Sequence, residues 1–161
     1  MRPPADAIES LDASIDIEAP PDTVYGLVSD ITRMGEWSLE AVGGRWIPDE
    51  SGTLGTGKVG DWFMGENATP EREWERECEV AAAEPGIDFT FVVGGVEANC
   101  TWWSYELEPT DTGTRLTERW WIVNKTPAVA AAPPEAYAKR VAYTQTMLDQ
   151  TVAALKEAAE Q

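Results

Sequence analysis

Residues 73–80 read EWERECEV: Trp74, Arg76, Cys78 and Val80 alternate with Glu73, Glu75, Glu77 and Glu79. Strict alternation is the signature of a β-strand, whose successive side chains point to opposite faces. Four glutamates on one face must meet water, because unpaired charges are almost never buried. The other row therefore faces inward, and the segment is one strand of a half-buried antiparallel sheet.

The same period extends outward in both directions, from about Leu39 to Asn124. Turn-forming residues interrupt it at Pro48 to Gly57, Asn67 to Glu71, Pro85-Gly86, Gly94-Gly95 and Pro109 to Gly113. Proline and glycine preset or permit turn backbones, so six strands fit between and around these breaks. Phe89 and Phe91 form the next inward row, followed by Trp103, Tyr105 and Leu107. On the last strand Leu116, Trp120 and Ile122 face inward, which places Glu118 on the same row.

Upstream, Ala13 to Glu18 alternates as a further strand, and residues 1–10 read as a flexible tail before a single domain at 11–161. Pro20-Pro21-Asp22 opens a helix, with Val24, Leu27, Val28 and Ile31 on one face and a second short helix over Thr32 to Trp37. At the other end, Thr126 to Pro133 reads as an Ala-Pro linker into a long helix from Pro134 to about Ala159. Its apolar stripe is Tyr137, Val141, Thr144, Leu148, Val152, Leu155 and Ala159, with Arg140 off it.

The order is strand, two helices, six strands, long helix: an α+β fold. A seven-stranded antiparallel sheet with one apolar face curls, and only the last helix is long enough to cover it. The inward rows are unusually large and polar for a core that ordinarily prefers Leu, Ile and Val. Indole, phenol, guanidinium and carboxylate groups all need partners when buried, and a pocket between sheet and helix supplies them. The expected lining is Phe63, Trp74, Arg76, Phe89 and Phe91 on the middle strands. Trp103, Tyr105, Leu116, Glu118 and Trp120 continue it on the last two strands, and Thr144 and Leu148 on the helix.

Composition excludes much. The chain has 161 residues, enough for one domain with a sizeable core, and no histidine, which removes imidazole bases, His-containing triads and His-zinc sites. Twenty-nine acids against 12 bases give a net charge of −17, unsuited to binding polyanions such as nucleic acid. Cys78 and Cys100 make no disulfide framework and read as two small buried apolar residues. No apolar run approaches the roughly 18 residues of a membrane span, and the first residues lack a signal-peptide pattern, so the expected location is the cytoplasm. Gly52-Thr-Leu-Gly-Thr-Gly57-Lys58 nearly spells a phosphate loop, but a strand follows where a helix N-terminus is required. No cofactor or metal is expected.

An ordered set of motifs resembles the START-like (SRPBCC) superfamily, in its polyketide cyclase/dehydrase branch. It comprises Ser14 to Ile31 with Pro20-Pro21-Asp22, then Trp37-Ser38, Val59-Gly60, Gly65-x-Asn67, Trp74, Cys78-x-Val80 and Glu84-Pro85-Gly86. Trp103-x-Tyr105-x-Leu107-Glu108-Pro109 and Gly113-Thr114-x-Leu116-x-Glu118 complete it, over about residues 12–155. The resemblance implies a helix-grip fold, a curved sheet closed on the C-terminal helix around a hydrophobic cavity. Members bind lipids, sterols, polyketides or plant hormones, and a minority are enzymes. In the cyclases an inward arginine orients the polyketide. By the Trp74 anchor its position falls at Cys78 here, and Arg76, one step along the same face, is the candidate to take its place.

The expected function is binding of a hydrophobic or amphipathic small molecule, lipid- or polyketide-like, oriented by Arg76, Tyr105 and Glu118. One alternative is a polyketide aromatase/cyclase or dehydratase using the same pocket. Another is a protein-interaction module built on the acidic surface and on Trp102 and Trp121, which have outward parity. Those two indoles suit either a homodimer surface or packing under the N-terminal tail or the linker. Arg76 and Glu118 are expected either to pair or to face the ligand separately.

Overall fold

A computed structural model describes residues 1–161. The strands are β1 (Glu9–Ile17), β2 (Ala41–Trp46), β3 (Trp62–Thr69), β4 (Arg72–Glu84), β5 (Asp88–Val93), β6 (Thr101–Thr110) and β7 (Gly113–Ile122). The helices are α1 (Pro21–Val28), α2 (Pro127–Ala131) and α3 (Pro134–Ala159), with a 3₁₀ helix at Ile31–Glu36. All seven strands join one antiparallel sheet in the order β1-β7-β6-β5-β4-β3-β2. From β2 to β7 each strand pairs with the next in sequence, and β1 pairs with β7 so that β1 and β2 form the two edges. This is the helix-grip arrangement that the sequence resemblance implies.

Local chemistry explains the elements. Pro20 and Pro21 start α1 without needing the amide donors they lack. Asp30 caps the 3₁₀ helix by accepting from the Thr32 amide at 3.1 Å. The 3₁₀ helix seats closely on β2 because Gly35 has no side chain, and a Cβ there would fall 2.3 Å from the Val42 carbonyl oxygen. β4 spans 13 residues and carries a register shift between Val80 and Ala82. Such a bulge increases twist and helps the sheet curl. No helix is long and apolar enough to cross a membrane.

Helix α3 lies along the β1–β7 side and occupies that edge. Gln145 and Lys156 donate to the β1 carbonyls of Asp12 and Asp16, at 3.1 and 2.6 Å. These bonds satisfy backbone acceptors that an edge strand otherwise leaves open. Helix α1 packs beside α3 against β5, β6 and β7. At that end the interior is solid, with Phe89, Leu116 and Leu148 fully buried. The other end, beneath α2 and the first half of α3, remains hollow.

Two sequence readings are corrected, and one left open is narrowed. Glu9 and Ser10, read as tail, are the first residues of β1, and Ile8 continues the pairing by donating to the Ile122 carbonyl at 2.9 Å. Met1 forms an ion pair with Asp88, and Arg2 bonds Glu106 at 2.8 Å, so residues 1–8 return over the outer face of the sheet. There Trp102 and Trp121 stack with centroids 5.5 Å apart, Trp121 only 1% exposed. Of the two alternatives for these indoles, packing within the chain fits Trp121. Finally, the Ala-Pro segment is helical at α2, where the Thr126 hydroxyl accepts from the Val129 amide and Pro127 follows.

Candidate functional site

A cavity of about 620 Å³ opens between the hollow half of the sheet and α2–α3, with mostly hydrophobic walls. Each strand from β3 to β7 contributes its inward row. Eight of the twelve residues expected from the sequence border it: Phe63, Trp74, Arg76, Phe91, Trp103, Tyr105, Glu118 and Trp120. Phe63 packs edge-on to Phe91 at 5.2 Å, and Trp103 leans on Trp120 at 6.5 Å. Such tilted contacts suit the charge distribution of aromatic rings and fix the wall.

Phe89, Leu116, Thr144 and Leu148 do not border the cavity and instead fill the solid half. Alternation reveals which face a residue takes, but not how far along the strand the covering helix descends. On α3 the discrepancy is systematic. The cavity stripe is Ala136, Arg140, Met147 and Thr151, joined in the first turn by Tyr137, whereas the core stripe is Val141, Leu148, Val152 and Leu155. The two differ by one residue, a rotation of about 100° around the helix.

Further wall residues had weak signals in the sequence. Val129 and Ala132 line the cavity from α2, whose start was marked by Thr126 before Pro127. Arg140 reaches the rim and grips Glu40 through two hydrogen bonds of 2.7 and 3.0 Å. Glu40 is only 5% exposed, so this pair fastens α3 to the turn before β2. A smaller groove of about 410 Å³ adjoins it and shares Glu40, Arg72, Trp74 and Arg140.

Glu118 is the polar feature of the inner wall. It is 2% exposed and lies opposite Tyr105 in the ladder. Burial raises its carboxyl from 4.5 to about 8, with the Tyr105 hydroxyl pulling the other way. That neighbour does not satisfy it, since Oε2 is buried without a hydrogen-bond partner. The same burial, with the carboxyl alongside, pushes the Tyr105 phenol well above its ordinary value. Both groups are therefore protonated at neutral pH, a pair able to donate and accept hydrogen bonds inside an apolar chamber.

Arg76 does not pair with Glu118. It is exposed at the mouth and its Nη1 donates to the Glu75 carbonyl at 2.7 Å. Cys78 is buried in the wall, and desolvation pushes its thiol up to about 12. It is an apolar wall atom rather than a nucleophile. Cys100, expected buried, is half-buried. The glycine-rich loop is organised by Asp61, which accepts from the Thr56 and Lys58 amides at 2.7 and 2.9 Å, and it leads into β3 rather than a helix.

Comparison with known proteins agrees with this geometry. Residues 9–160 match the family described as polyketide cyclase/dehydrase and lipid transport. A Polyketide_cyc-like protein from Corynebacterium glutamicum is 36% identical, with a TM-score of 0.64 over 92% of this chain and 90% of its own. A protein from Bacillus halodurans shares the fold at 16% identity, TM-score 0.66, covering 96% of this chain and 99% of that one. The di-domain ARO/CYC StfQ from the steffimycin biosynthetic pathway aligns at 14% identity and TM-score 0.67, over 96% of this chain and 51% of StfQ. No curated protein matches the sequence.

Proposed function

The chain belongs to the polyketide cyclase/dehydrase and lipid transport family, and from that premise we propose that it binds a hydrophobic or amphipathic small molecule in the cavity between sheet and α3. The observation that carries this reading is Glu118 Oε2, buried and unpartnered in an aromatic chamber. Leaving such an atom unmet costs about 1–3 kcal/mol. A ligand hydroxyl or carbonyl reaching the Tyr105–Glu118 pair offsets that cost. The cavity also falls within the roughly 300–1,000 Å³ range of small-molecule sites. The aromatic walls supply contact area, and the polar pair supplies orientation.

Gly65 offers a direct test. It lines the cavity, and a Cβ built there meets only ordinary contacts, the nearest at 3.6 Å to the Arg76 carbonyl. A larger side chain would extend into the chamber. Gly65→Leu is expected to weaken binding of Nile red, a neutral apolar dye, about tenfold or more, the scale of one misplaced apolar group in a pocket. Its melting temperature should stay close to wild type. Unchanged dye affinity would count against the cavity as the binding site.

The second reading is a polyketide cyclase or dehydratase. It is favoured by the protonated Glu118–Tyr105 pair, which can serve as an acid inside a water-poor chamber. The same preparations discriminate. Turnover of a polyketide mimic that falls on Glu118→Gln would move the assignment to catalysis, while stoichiometric retention without turnover would keep it at binding.

A further inference from the structure

The sequence holds eight arginines among 29 acids, and six of them have a carboxylate within 4.0 Å. Arg2, Arg33, Arg45, Arg115, Arg119 and Arg140 are all paired in this way. The two exceptions are Arg72 and Arg76, and both stand on the inward row of β4 at the cavity. Their isolation is unexpected, because Glu71, Glu73, Glu75 and Glu77 surround them in sequence. Strand alternation turns the neighbouring β4 glutamates to the opposite face, where Arg45 takes Glu75 at 2.9 Å. Arg72 lies over the Trp74 ring at 4.3 Å, a cation–π contact that holds its guanidinium at the rim without using a carboxylate. Arg140 shares the mouth, but its charge is committed to Glu40. In a molecule of net charge −17, the mouth thus holds two arginines outside any ion pair, with Glu71 in the adjoining groove and Glu40 already held by Arg140.

The inner end has the opposite requirement. Glu118 and Tyr105 are poor partners for an anion, since a negative charge buried beside them would have no counter-charge. They suit a neutral group that both donates and accepts. The ladder fixes the offset between the two ends along the strand direction. Cys78, Val93, Thr101 and Ile122 form one row across the sheet, with Glu118 four residues from it on one side and Arg76 two residues on the other. Six residues of strand correspond to roughly 20 Å at about 3.4 Å each. The interval is walled by Trp103, Trp120 and Phe91.

We propose that the cavity takes a long two-ended amphiphile, with a carboxylate-type anionic head on Arg72 and Arg76, an apolar body along the aromatic wall and a hydroxyl at Tyr105 and Glu118. This rests on the cavity-binding reading and adds the polarity and class of the ligand. The guanidiniums fix which end stays at the mouth, and the inner pair selects an oxygenated tail over a plain hydrocarbon.

The test uses the full chain and displacement of Nile red by three probes: ω-hydroxypalmitic acid, its methyl ester and palmitic acid, each below its micellar concentration. The hydroxy acid is expected to bind about tenfold more tightly than the ester, the scale of charge-assisted hydrogen bonds at a partly exposed site. The double variant Arg72→Gln/Arg76→Gln should erase that difference by lowering the acid's affinity to the level of the ester's. Both positions are exposed, and glutamine keeps most of the side-chain length, so the fold should persist. The hydroxy acid should also outbind palmitic acid, and Glu118→Leu should remove that preference. Equal binding of acid and ester, or an acid preference that survives the double variant, would overturn the anionic head. Equal binding of hydroxy acid and palmitic acid would overturn the inner pole. Nile red binding that no probe displaces would sink the two-ended ligand while leaving the cavity reading intact. Absence of Nile red binding would remove both.

Discussion

Glu118→Gln is expected to stabilise the protein by about 3 kcal/mol at neutral pH, and to flatten its pH profile between about 4.5 and 8. The native carboxyl titrates near 8, whereas in the unfolded chain it returns to its ordinary 4.5. Between those values the folded state retains a proton that the unfolded state has released. Stability therefore falls as pH rises through this window, by about 1.4 kcal/mol per pH unit for this group. Glutamine keeps the shape and can still bond Tyr105, but has nothing to ionise. Chemical denaturation of wild type and variant from pH 5 to 8 measures the effect as a gap that widens with pH. Paired curves separate Glu118 from the general repulsion among the other acids. A constant gap would mean that the native carboxyl is not held protonated. The same substitution tests function, since a residue that costs stability is expected where binding or chemistry needs it.

Phe89→Ala should produce the other large change, a loss of about 3–5 kcal/mol. The ring has no exposed surface and meets Tyr25 edge-on at 6.4 Å in the solid half of the interior. Its removal leaves a void among side chains fixed by α1 and α3. Trp74→Ala removes a larger ring, yet is expected to cost much less, because Trp74 is half-buried and already borders open space. The order reverses for ligand: Trp74→Ala should weaken Nile red binding, whereas any Phe89→Ala effect should follow its lost stability. Thermal melts and dye titrations on both variants supply the comparison. A Phe89→Ala variant as stable as Trp74→Ala would contradict the division into solid and hollow halves.

The strand pattern made most of this architecture legible. EWERECEV gave the orientation of β4, and the same alternation located eight cavity residues on five strands. Turn residues and proline-led helix starts set the order of elements. The depth of the cavity was not legible, because periodicity is a property of one element and the covering of a sheet depends on two. Phe89 and Phe91 share a row, yet one is core and the other wall. Arg140 was hidden for a related reason: on a single helix a charged residue beside an apolar stripe reads as solvated, and only the fold brings Glu40 to it. Nor did the isolation of Arg72 and Arg76 show in a sequence that sets a glutamate beside each of them. Charge neighbours along a strand are not neighbours in space.

The one-residue offset between the two stripes of α3 has a consequence for how such a protein diverges. Val141, Leu148 and Val152 hold the helix to the sheet, while Met147 and Thr151 shape the chamber. Each wall position stands beside an anchoring position without sharing its duty. Drift at the wall can therefore redraw the chamber's outline, one side chain at a time, while the anchoring row continues to hold the helix in place. The helix is in this sense a ratchet with a fixed edge and a free edge. A lineage carrying it can exchange one small molecule for another without passing through an unfolded intermediate.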